Sequence, residues 1–306
     1  MKKIFACCAA LVLAVAAWAG NGPADAPAKD NLVTRDYDYR DFTGLSVSNA
    51  FSVDLRRGNR FSIRVQVPDY LEPYLRVRVI NDVLTIGLDE LPRRIQQKRN
   101  ADNQAMTAVV TMPRLYSLRL SGAVRLRSGD TFPSDHAAFR IHLSGSSRVD
   151  DLSVSGRGEA WVRCSGASTL SMTGRFDAWD VELTGSSSLR LAASAEALEA
   201  DLSGASRAVF EGDFSDADVE MSGSAKVRIN GRVTELDVDG SGASSLEAGD
   251  TQRCEVDLSG AAECKVTVHD RLKVDLSGAS KCRYHASKNI EVEVESVSHG
   301  ATLKRL

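Results

Sequence analysis

Residues 198–205 read Leu-Glu-Ala-Asp-Leu-Ser-Gly-Ala, and variants of this stretch recur along most of the chain. The glycines that follow the serine in each variant are Gly122, Gly145, Gly166, Gly185, Gly204, Gly223, Gly242, Gly260 and Gly278. Successive glycines are 18 to 23 residues apart, a regular period that is the signature of a repeat protein. A propeller blade needs about 40 residues, so the shorter period favours a solenoid with one coil per repeat.

Apolar residues hold fixed positions in each repeat. Two, four and six residues before Gly204 stand Leu202, Ala200 and Leu198, and the other repeats carry similar residues there. Because side chains alternate between the two faces of a strand, these three positions face one side, which must be the interior. Glycine suits the corner because it takes a positive φ without a Cβ penalty. The sequence therefore predicts an all-β fold, a parallel β-solenoid of about nine coils of 18–23 residues.

The N-terminus predicts export. Two lysines follow Met1, an apolar run extends to Trp18, and Ala17-Trp18-Ala19 is a small-residue cleavage site, as in a secretory signal peptide. The run is shorter than the roughly 20 residues that span a bilayer. We expect a signal peptide over residues 1–19, no transmembrane segment after its removal, and a mature protein in the periplasm, on the outer membrane surface or outside the cell.

Three further segments follow the signal peptide. Residues 20–33 contain proline, alanine and aspartate and predict a flexible spacer. Residues 34–112 alternate apolar and polar side chains and predict an N-terminal β-rich part, and residues 113–306 predict the repeat solenoid. The segment 89–104 breaks the alternation and predicts a loop or a short exposed helix. Together with the segment 128–138, it is long enough to wall a groove.

Carboxylates occupy two outward positions of the later repeats. Three residues before the glycine these are Glu182, Asp201, Glu220, Asp239, Asp257 and Asp275; five before it they are Asp180, Glu199, Asp218, Asp237 and Glu255. Neighbouring rungs are about 4.8 Å apart. Two carboxylates at that distance repel by about 1 kcal/mol even at the dielectric constant of water.

This acidic ladder has two interpretations. It could bind a divalent cation such as Ca²⁺, which prefers oxygen ligands, or a basic partner surface. Alternatively, it is a charged strand face that only keeps the protein soluble. After the glycine, outward positions carry basic residues such as Arg190, Arg207 and Lys226, so we expect two faces of opposite charge that would also permit side-by-side self-association.

Cysteines add one further candidate. Cys264 and Cys282 occupy the same interior position in successive repeats, which places their Cα atoms within disulfide range. An oxidising compartment would allow a disulfide between them. A stacked pair of buried thiols is the alternative, and Cys164 and Cys254 serve as small apolar residues in other interior columns.

Catalytic and cofactor motifs are not found in the sequence. Eight of the nine repeats have a serine before the glycine and the other has Thr184, whereas a nucleophile needs one serine with an oriented base. Phosphate-binding, dinucleotide-binding and Cys/His metal motifs do not occur. A formal charge of −3 with 26% charged residues does not fit a nucleic-acid-binding protein. We expect no catalytic residue, no cofactor other than the Ca²⁺ considered above, and no nucleic-acid partner.

Several short stretches are similar to a known family. Residues 42–48 (Phe-Thr-Gly-Leu-Ser-Val-Ser), 51–55 (Phe-Ser-Val-Asp-Leu), 83–86 (Val-Leu-Thr-Ile) and 118–123 (Leu-Arg-Leu-Ser-Gly-Ala) resemble the bacterial head GIN domain, known as an auto-transporter adhesin. The resemblance covers about residues 40–300. It implies a secreted or envelope protein that is built of β-helix-like coils.

These observations favour a non-enzymatic envelope or surface protein that presents a rigid solenoid for binding an envelope or extracellular glycan or protein. Two alternatives stay open. Parallel β-helices include polysaccharide lyases and glycosidases, which hold carboxylates on an outward face. A purely structural envelope spacer is the other alternative.

Overall fold

The computed structural model describes residues 31–102, 104–135, 138–286, 289–298 and 300–306. The chain divides into two units, Met1–Asp30 and Asn31–Leu306, and only the second is described. The predicted signal peptide and most of the predicted spacer therefore lie outside the described residues. The first strand begins at Leu32, so the last two residues of the predicted spacer, 20–33, belong to the folded part. No helix in the described part of the chain is long and apolar enough to cross a membrane.

Strands dominate the second unit. The N-terminal elements are, in order, β1 (Leu32–Tyr37), β2 (Gly44–Val47), β3 (Phe51–Arg57), β4 (Ser62–Pro68), a 3₁₀ helix (Asp69–Tyr74), β5 (Leu75–Ile80), β6 (Val83–Leu88), α1 (Arg93–Ala101) and β7 (Met106–Met112). The middle of the chain forms β8 (Ser117–Leu120), β9 (Arg125–Arg127), β10 (Thr131–Ser134), β11 (Ala138–Leu143), β12 (Arg148–Gly156), β13 (Glu159–Cys164), β14 (Thr169–Arg175), β15 (Ala178–Leu183), β16 (Ser188–Ala192), β17 (Ala195–Leu202) and β18 (Arg207–Glu211). The last seven strands are β19 (Phe214–Met221), β20 (Lys226–Gly240), β21 (Ser245–Leu258), β22 (Glu263–Leu276), β23 (Lys281–Ala286), β24 (Glu291–Val297) and β25 (Thr302–Arg305).

The strands stack in parallel on two sides of a corner. The pre-corner stack consists of β2, β8, β11, β13, β15, β17, β19, the second halves of β20, β21 and β22, and β24. The post-corner stack consists of β3, β9, β12, β14, β16, β18, the first halves of β20, β21 and β22, and β23 and β25. Each strand pairs with the equivalent strand of the next coil, which confirms the parallel β-solenoid.

The predicted interior columns are buried. Leu183, Leu202 and Met221 pair in register across three coils and are at most 3% exposed. Larger side chains contribute as well: the ring of Phe176 stacks on Phe139 and meets Trp179 edge-on. Each coil thus buries its apolar side chains against its neighbours, as a solenoid must.

The corner explains why the tripeptide recurs. The glycines of the corners have φ values between +68° and +89° and lie directly on one another, since the N–H of the following residue donates to the carbonyl of the glycine one coil earlier. The structure adds a corner at each end of the repeats. Asn49, at φ +70°, lies beneath Gly122, and Gly300 lies above Gly278. Asparagine tolerates this left-handed backbone better than most residues, so Ser48-Asn49-Ala50 replaces the usual Ser-Gly-Ala.

The N-terminal part continues both stacks. β6 and β5 extend the pre-corner stack beyond β2, and β7, β4 and β1 extend the post-corner stack beyond β3. The outermost pairings on both sides are antiparallel, which ends the run of parallel coils. The sequence pattern predicts two parts, residues 34–112 and residues 113–306, but in the structure both belong to one continuous sheet.

A column of buried serines was not predicted. Two residues after the corner glycine the side chain points inward, and Ser147, Ser168, Ser187, Ser206, Ser244 and Ser280 are each at most 1% exposed. Ser147 Oγ donates to the carbonyl of Ser144 at 2.9 Å. Ser168 lies close to the thiol of Cys164, and within the described residues the hydroxyls of Ser187, Ser206, Ser244 and Ser280 have no hydrogen-bond partner. Ala225 and Ala262 occupy the same position, so a hydroxyl is not required there.

We expect the Ser187→Ala substitution to leave the free energy of unfolding unchanged or to raise it by about 1 kcal/mol, because it removes a buried, unpaired hydroxyl. The matched variant Ser147→Ala should lower it by about 1 kcal/mol, because a hydrogen bond is lost. Urea unfolding followed by circular dichroism measures both changes. Equal destabilisation by the two substitutions would show that the Ser187 hydroxyl is paired in solution.

Candidate functional site

The predicted acidic ladder lies on the outer surface of the pre-corner stack. The register joins Glu182, Asp201, Glu220, Asp239, Asp257 and Asp275 in one column, and Asp180, Glu199, Asp218, Asp237 and Glu255 in the next. We call these eleven side chains the acidic face. They are half-buried or exposed, so the structure brings the carboxylates together as predicted and leaves them accessible.

Ion pairs reach only the ends of the acidic face. Arg163 lies 3.2 Å from Glu182, and Lys273 lies 2.7 Å from Glu255. Asp275 accepts a hydrogen bond from the hydroxyl of Ser296. In the described part of the chain, no ion pair joins any of the other carboxylates, Asp180, Glu199, Asp201, Asp218, Glu220, Asp237, Asp239 and Asp257. The centre of the face therefore carries uncompensated negative charge.

Proton affinities reflect this charge. Partial burial, with repulsion from neighbouring carboxylates, raises the pKa of Asp218 and Asp237 above the ordinary value. For Glu220, repulsion from Asp201 is the main cause of a raised pKa. The pKa values of Asp180, Glu199 and Asp257 are raised as well, chiefly by burial. Folding thus brings carboxylates together so that they repel one another, and a bound cation would reduce this repulsion.

A shallow groove of about 460 Å³ follows the acidic face. Its walls include Asp201, Glu220 and Asp239 and the corner hydroxyls of Ser203 and Ser222. Among the described residues, no three or more His, Cys, Asp or Glu side chains converge on a point where they could hold a metal ion. The carboxylates form lines along the groove, an arrangement suited to an extended cationic surface.

The outer surface of the post-corner stack differs from the prediction. Its basic residues alternate with glutamates. Glu247 pairs with Arg228 at 2.6 Å and with Lys265 at 3.2 Å. Hydrogen bonds from these cations, that from Lys265 first, lower the pKa of Glu247. Glu263 is similarly held between Lys281 and Arg283, and Arg190 pairs with Glu211. Ion pairs between rungs therefore neutralise much of the positive charge that the sequence predicts for this face.

Positive charge lies instead on the N-terminal part of the pre-corner stack. Arg119, His142 and Arg163 are exposed in the same column as Glu182 and Asp201. The column continues through Ser46 and Thr85 to Arg78 on β5. In the adjacent column the guanidinium of Arg140 lies 3.9 Å from the centre of the Trp161 ring. Repeat alignment could not have found Arg78, because β5 runs antiparallel and lies outside the Ser-Gly-Ala period.

The two segments that could wall a groove behave differently. Residues 93–101 form the exposed helix α1, whose Lys98 lies 4.0 Å from the centre of the Tyr70 ring. The segment 128–138 borders a wide cleft of about 1260 Å³ through Ser134 and Asp135. Two carboxylates of this cleft accept backbone N–H groups: Asp177 from Gly158 at 2.7 Å and Asp213 from Arg232 at 2.8 Å. They stabilise the turns.

The four cysteines in the described part of the chain are buried. Cys164, Cys254, Cys264 and Cys282 are all free thiols, and Cys264 lies beside Cys282 in register. A hydrogen bond with Cys282 and burial raise the pKa of Cys264. Burial raises the pKa of Cys164 to about 12. Cys264 and Cys282 are stacked as the sequence predicts, and a disulfide between them under oxidising conditions stays a prediction.

The corner hydroxyls bond along the solenoid. Ser144, Ser165, Ser241 and Ser277 each place Oγ 3.4 Å from a carbonyl oxygen of the preceding coil. Of the histidines, His136 and His299 lie outside the described residues, and His142, His269 and His285 occupy separate surface positions. The geometry matches the structural role that the sequence indicates for these serines.

Fold and surface together define a parallel β-solenoid with one long, charged and accessible sheet face. The chain belongs to the family described as "Putative auto-transporter adhesin, head GIN domain", whose model matches residues 41–208 and 188–287. This family description is that of a surface or exported protein, as the sequence predicts. No curated protein matches the chain.

Solved structures match the chain at low sequence identity and with TM-scores below 0.5. A crystal structure described as a "putative adhesin" from Parabacteroides distasonis is 15% identical, with a TM-score of 0.47, over 90% of this chain and 98% of that one. A second "putative adhesin", from Parabacteroides merdae, is 14% identical, with a TM-score of 0.46, over 90% and 96% of the two chains. A "putative lipid binding protein" from Parabacteroides distasonis is 12% identical, with a TM-score of 0.38, over 90% and 97%.

Proposed function

We propose that this protein is an exported, non-enzymatic binding protein whose acidic face holds a cationic surface of a partner. The observation that carries the proposal is that eight carboxylates of the acidic face have no ion pair in the described part of the chain: Asp180, Glu199, Asp201, Asp218, Glu220, Asp237, Asp239 and Asp257. The signal peptide expected over residues 1–19 would deliver the solenoid to the envelope or the cell surface.

The charge distribution separates this face from an ordinary solvated one. On the post-corner stack, ion pairs between rungs occupy the glutamates, for example Glu247 and Glu263. Ion pairs between rungs could neutralise the acidic face in the same way, yet the described residues form no ion pair at the centre of that face. Uncompensated charge on a rigid sheet favours recognition, since the partner finds the carboxylates already in position.

The first test is binding to octalysine, with octaglutamate as the probe of opposite sign. We expect the wild-type chain to bind octalysine and not to bind octaglutamate. A neutralised variant, Asp218→Asn/Glu220→Gln/Asp237→Asn, should bind octalysine about tenfold more weakly, because three adjacent charges are removed from the centre of the face. Isothermal titration calorimetry at low ionic strength measures the affinities.

The control variant, Glu90→Gln/Glu196→Gln/Asp270→Asn, removes the same formal charge at positions outside the acidic face. It should bind octalysine as the wild type does. Binding should vanish at about 1 M NaCl, where the Debye length is roughly 3 Å. Equal losses in both variants would show that octalysine senses only the net charge, and the proposal would fail.

A second test addresses the non-enzymatic part of the proposal. We expect no product when the protein is incubated with a panel of acidic and neutral polysaccharides and the mixture is assayed for new reducing ends and for unsaturated sugars. Release of either product would instead support the β-helix lyase or glycosidase alternative.

A further inference from the structure

We propose that the cationic partner of the acidic face is a second copy of this chain, which docks antiparallel through the same outer surface of the pre-corner stack. The inference rests on the proposed function, because it names the partner of the same face. It uses charge complementarity between the two halves of that surface and the size of the surface.

One column runs along most of the surface and changes sign once, and the uncharged Ser296 on β24 follows its last charged member, Asp275. It lies three residues before each corner and follows the register from β5 to β22. In order, its members are Arg78, Thr85, Ser46, Arg119, His142, Arg163, Glu182, Asp201, Glu220, Asp239, Asp257 and Asp275. Six members precede the step from Arg163 to Glu182, and six follow it. The basic half has four of its six positions occupied by Arg or His, and the acidic half is entirely Asp and Glu.

A two-fold axis at this step makes the surface complementary to itself. The axis lies in the plane of the interface and crosses the strand stack between the Arg163 and Glu182 rungs. It reverses the order of the rungs but keeps each column opposite the same column of the other copy. The opposed pairs are then Arg163 with Glu182, His142 with Asp201, Arg119 with Glu220, Ser46 with Asp239, Thr85 with Asp257, and Arg78 with Asp275.

The adjacent column pairs opposite charges at one rung, and its carboxylates Asp218, Asp237 and Glu255 are opposite the uncharged Ser117, Gly44 and Val83. Arg140 is opposite Glu199 of the other copy, and Trp161 is opposite Asp180. The centre of the interface therefore holds Trp161 and its neighbour Arg140, the residue types that are most enriched at the energetic centres of protein interfaces. A parallel arrangement of the two copies would place acid on acid and base on base, so only the antiparallel one satisfies the charges.

Shape and size also fit. The basic half projects long arginine side chains, whereas the acidic half has a groove of about 460 Å³ lined by carboxylates of Asp201, Glu220 and Asp239. Twelve rungs at about 4.8 Å, on strands about 20 Å long, give roughly 1000 Å² of flat surface per copy. A standard stable interface buries about 800 Å² per partner.

The test uses charge-reversed variants and sedimentation-velocity ultracentrifugation of the chain after signal cleavage. The wild type should sediment as a dimer at low ionic strength and dissociate as salt is raised. Arg119→Glu/Arg140→Glu and, separately, Glu199→Arg/Glu220→Arg should each be monomeric, because like charges would face each other across the axis. Circular dichroism and the melting temperature confirm that each variant is folded.

Recombination of the reversals tests the register. An equimolar mixture of the two variants should form a heterodimer, since one surface is then acidic and the other basic. All four substitutions in one chain should restore the homodimer. The control variant Arg119→Glu/Arg140→Glu/Asp237→Arg/Asp257→Arg has the same net charge as the variant with all four substitutions. Its new arginines lie on rungs that are not opposite residues 119 and 140, so it should remain monomeric.

Octalysine and the second copy would occupy the same acidic face, so octalysine should dissociate the dimer, and the outcomes separate the two proposals. A wild type that stays monomeric but binds octalysine would overturn self-association and leave the acidic face as a binding surface for a different partner. A wild type that neither dimerises nor binds octalysine would overturn both. A dimer that persists in both reversed variants would place the interface elsewhere on the solenoid.

Discussion

Replacement of Gly204 by alanine should lower the free energy of unfolding by about 2–5 kcal/mol, the range of the most disruptive single substitutions. Gly204 has a φ of +73°, a conformation that costs an L-residue with a side chain about 1–2 kcal/mol. Its added Cβ would also lie 2.7 Å from the carbonyl oxygen and 3.2 Å from the nitrogen of Gly185 in the coil below. Both contacts are with backbone, which cannot rotate away as a flexible side chain would.

Gly129→Ala is the matched control. A Cβ at Gly129 meets no atom within 4 Å, and its φ lies outside the left-handed region. This substitution should change the free energy of unfolding by less than about 0.5 kcal/mol. Urea unfolding followed by circular dichroism measures both variants. If Gly204→Ala were as stable as Gly129→Ala, the direct stacking of corner on corner would not hold the coils together.

The corner also shows how far sequence reasoning extends. The interior columns and the nine glycine corners could be predicted because each coil meets the same constraint, an alternating strand and a residue of positive φ. The corner at Asn49 was not predicted, because an asparagine and not a glycine takes the positive φ there. The extension of both stacks by β1 and β4–β7 escaped because antiparallel strands break the period on which the alignment depends.

The candidate site was only partly predictable, for a related reason. Alternation along a strand places side chains on one face, so the columns of the acidic face followed from spacing alone. Whether a charge is compensated depends on side chains of neighbouring rungs, as the ion pairs of Glu247 illustrate. The buried column of Ser187 was missed because it lies within the turn, where strand alternation does not apply.

Removal of carboxylates from the acidic face should stabilise the fold. At pH 7 the neutralised variant, Asp218→Asn/Glu220→Gln/Asp237→Asn, should melt roughly 2–3 °C above the wild type, a shift that corresponds to about 1 kcal/mol in a chain of this size. The reason is that the pKa of each of these groups is raised in the folded protein. Burial is the main cause for Asp218 and Asp237, and repulsion from Asp201 is the main cause for Glu220. Differential scanning calorimetry measures the shift.

The gain in melting temperature should depend on pH, because it comes from carboxylates that are ionised at pH 7. A carboxyl group whose pKa is higher in the folded state than in the unfolded state opposes folding when it is ionised in both. That penalty is complete above the folded-state pKa and disappears as the pH falls through it toward the ordinary values of 3.8 and 4.5. The difference in melting temperature between the variant and the wild type should therefore shrink toward zero as the pH is lowered from 7 to about 4. A constant difference over this range would assign the stabilisation to packing of the new amides.

Stability and binding should consequently change in opposite directions in this variant. A solvated face that only kept the protein soluble would have no reason to retain a repulsion that ion pairs between rungs remove on the post-corner stack. A binding face retains it, because the partner's cations supply the missing compensation only in the complex. A gain in melting temperature together with a loss of octalysine binding and of the dimer is the combination that a functional site produces and a passive surface does not.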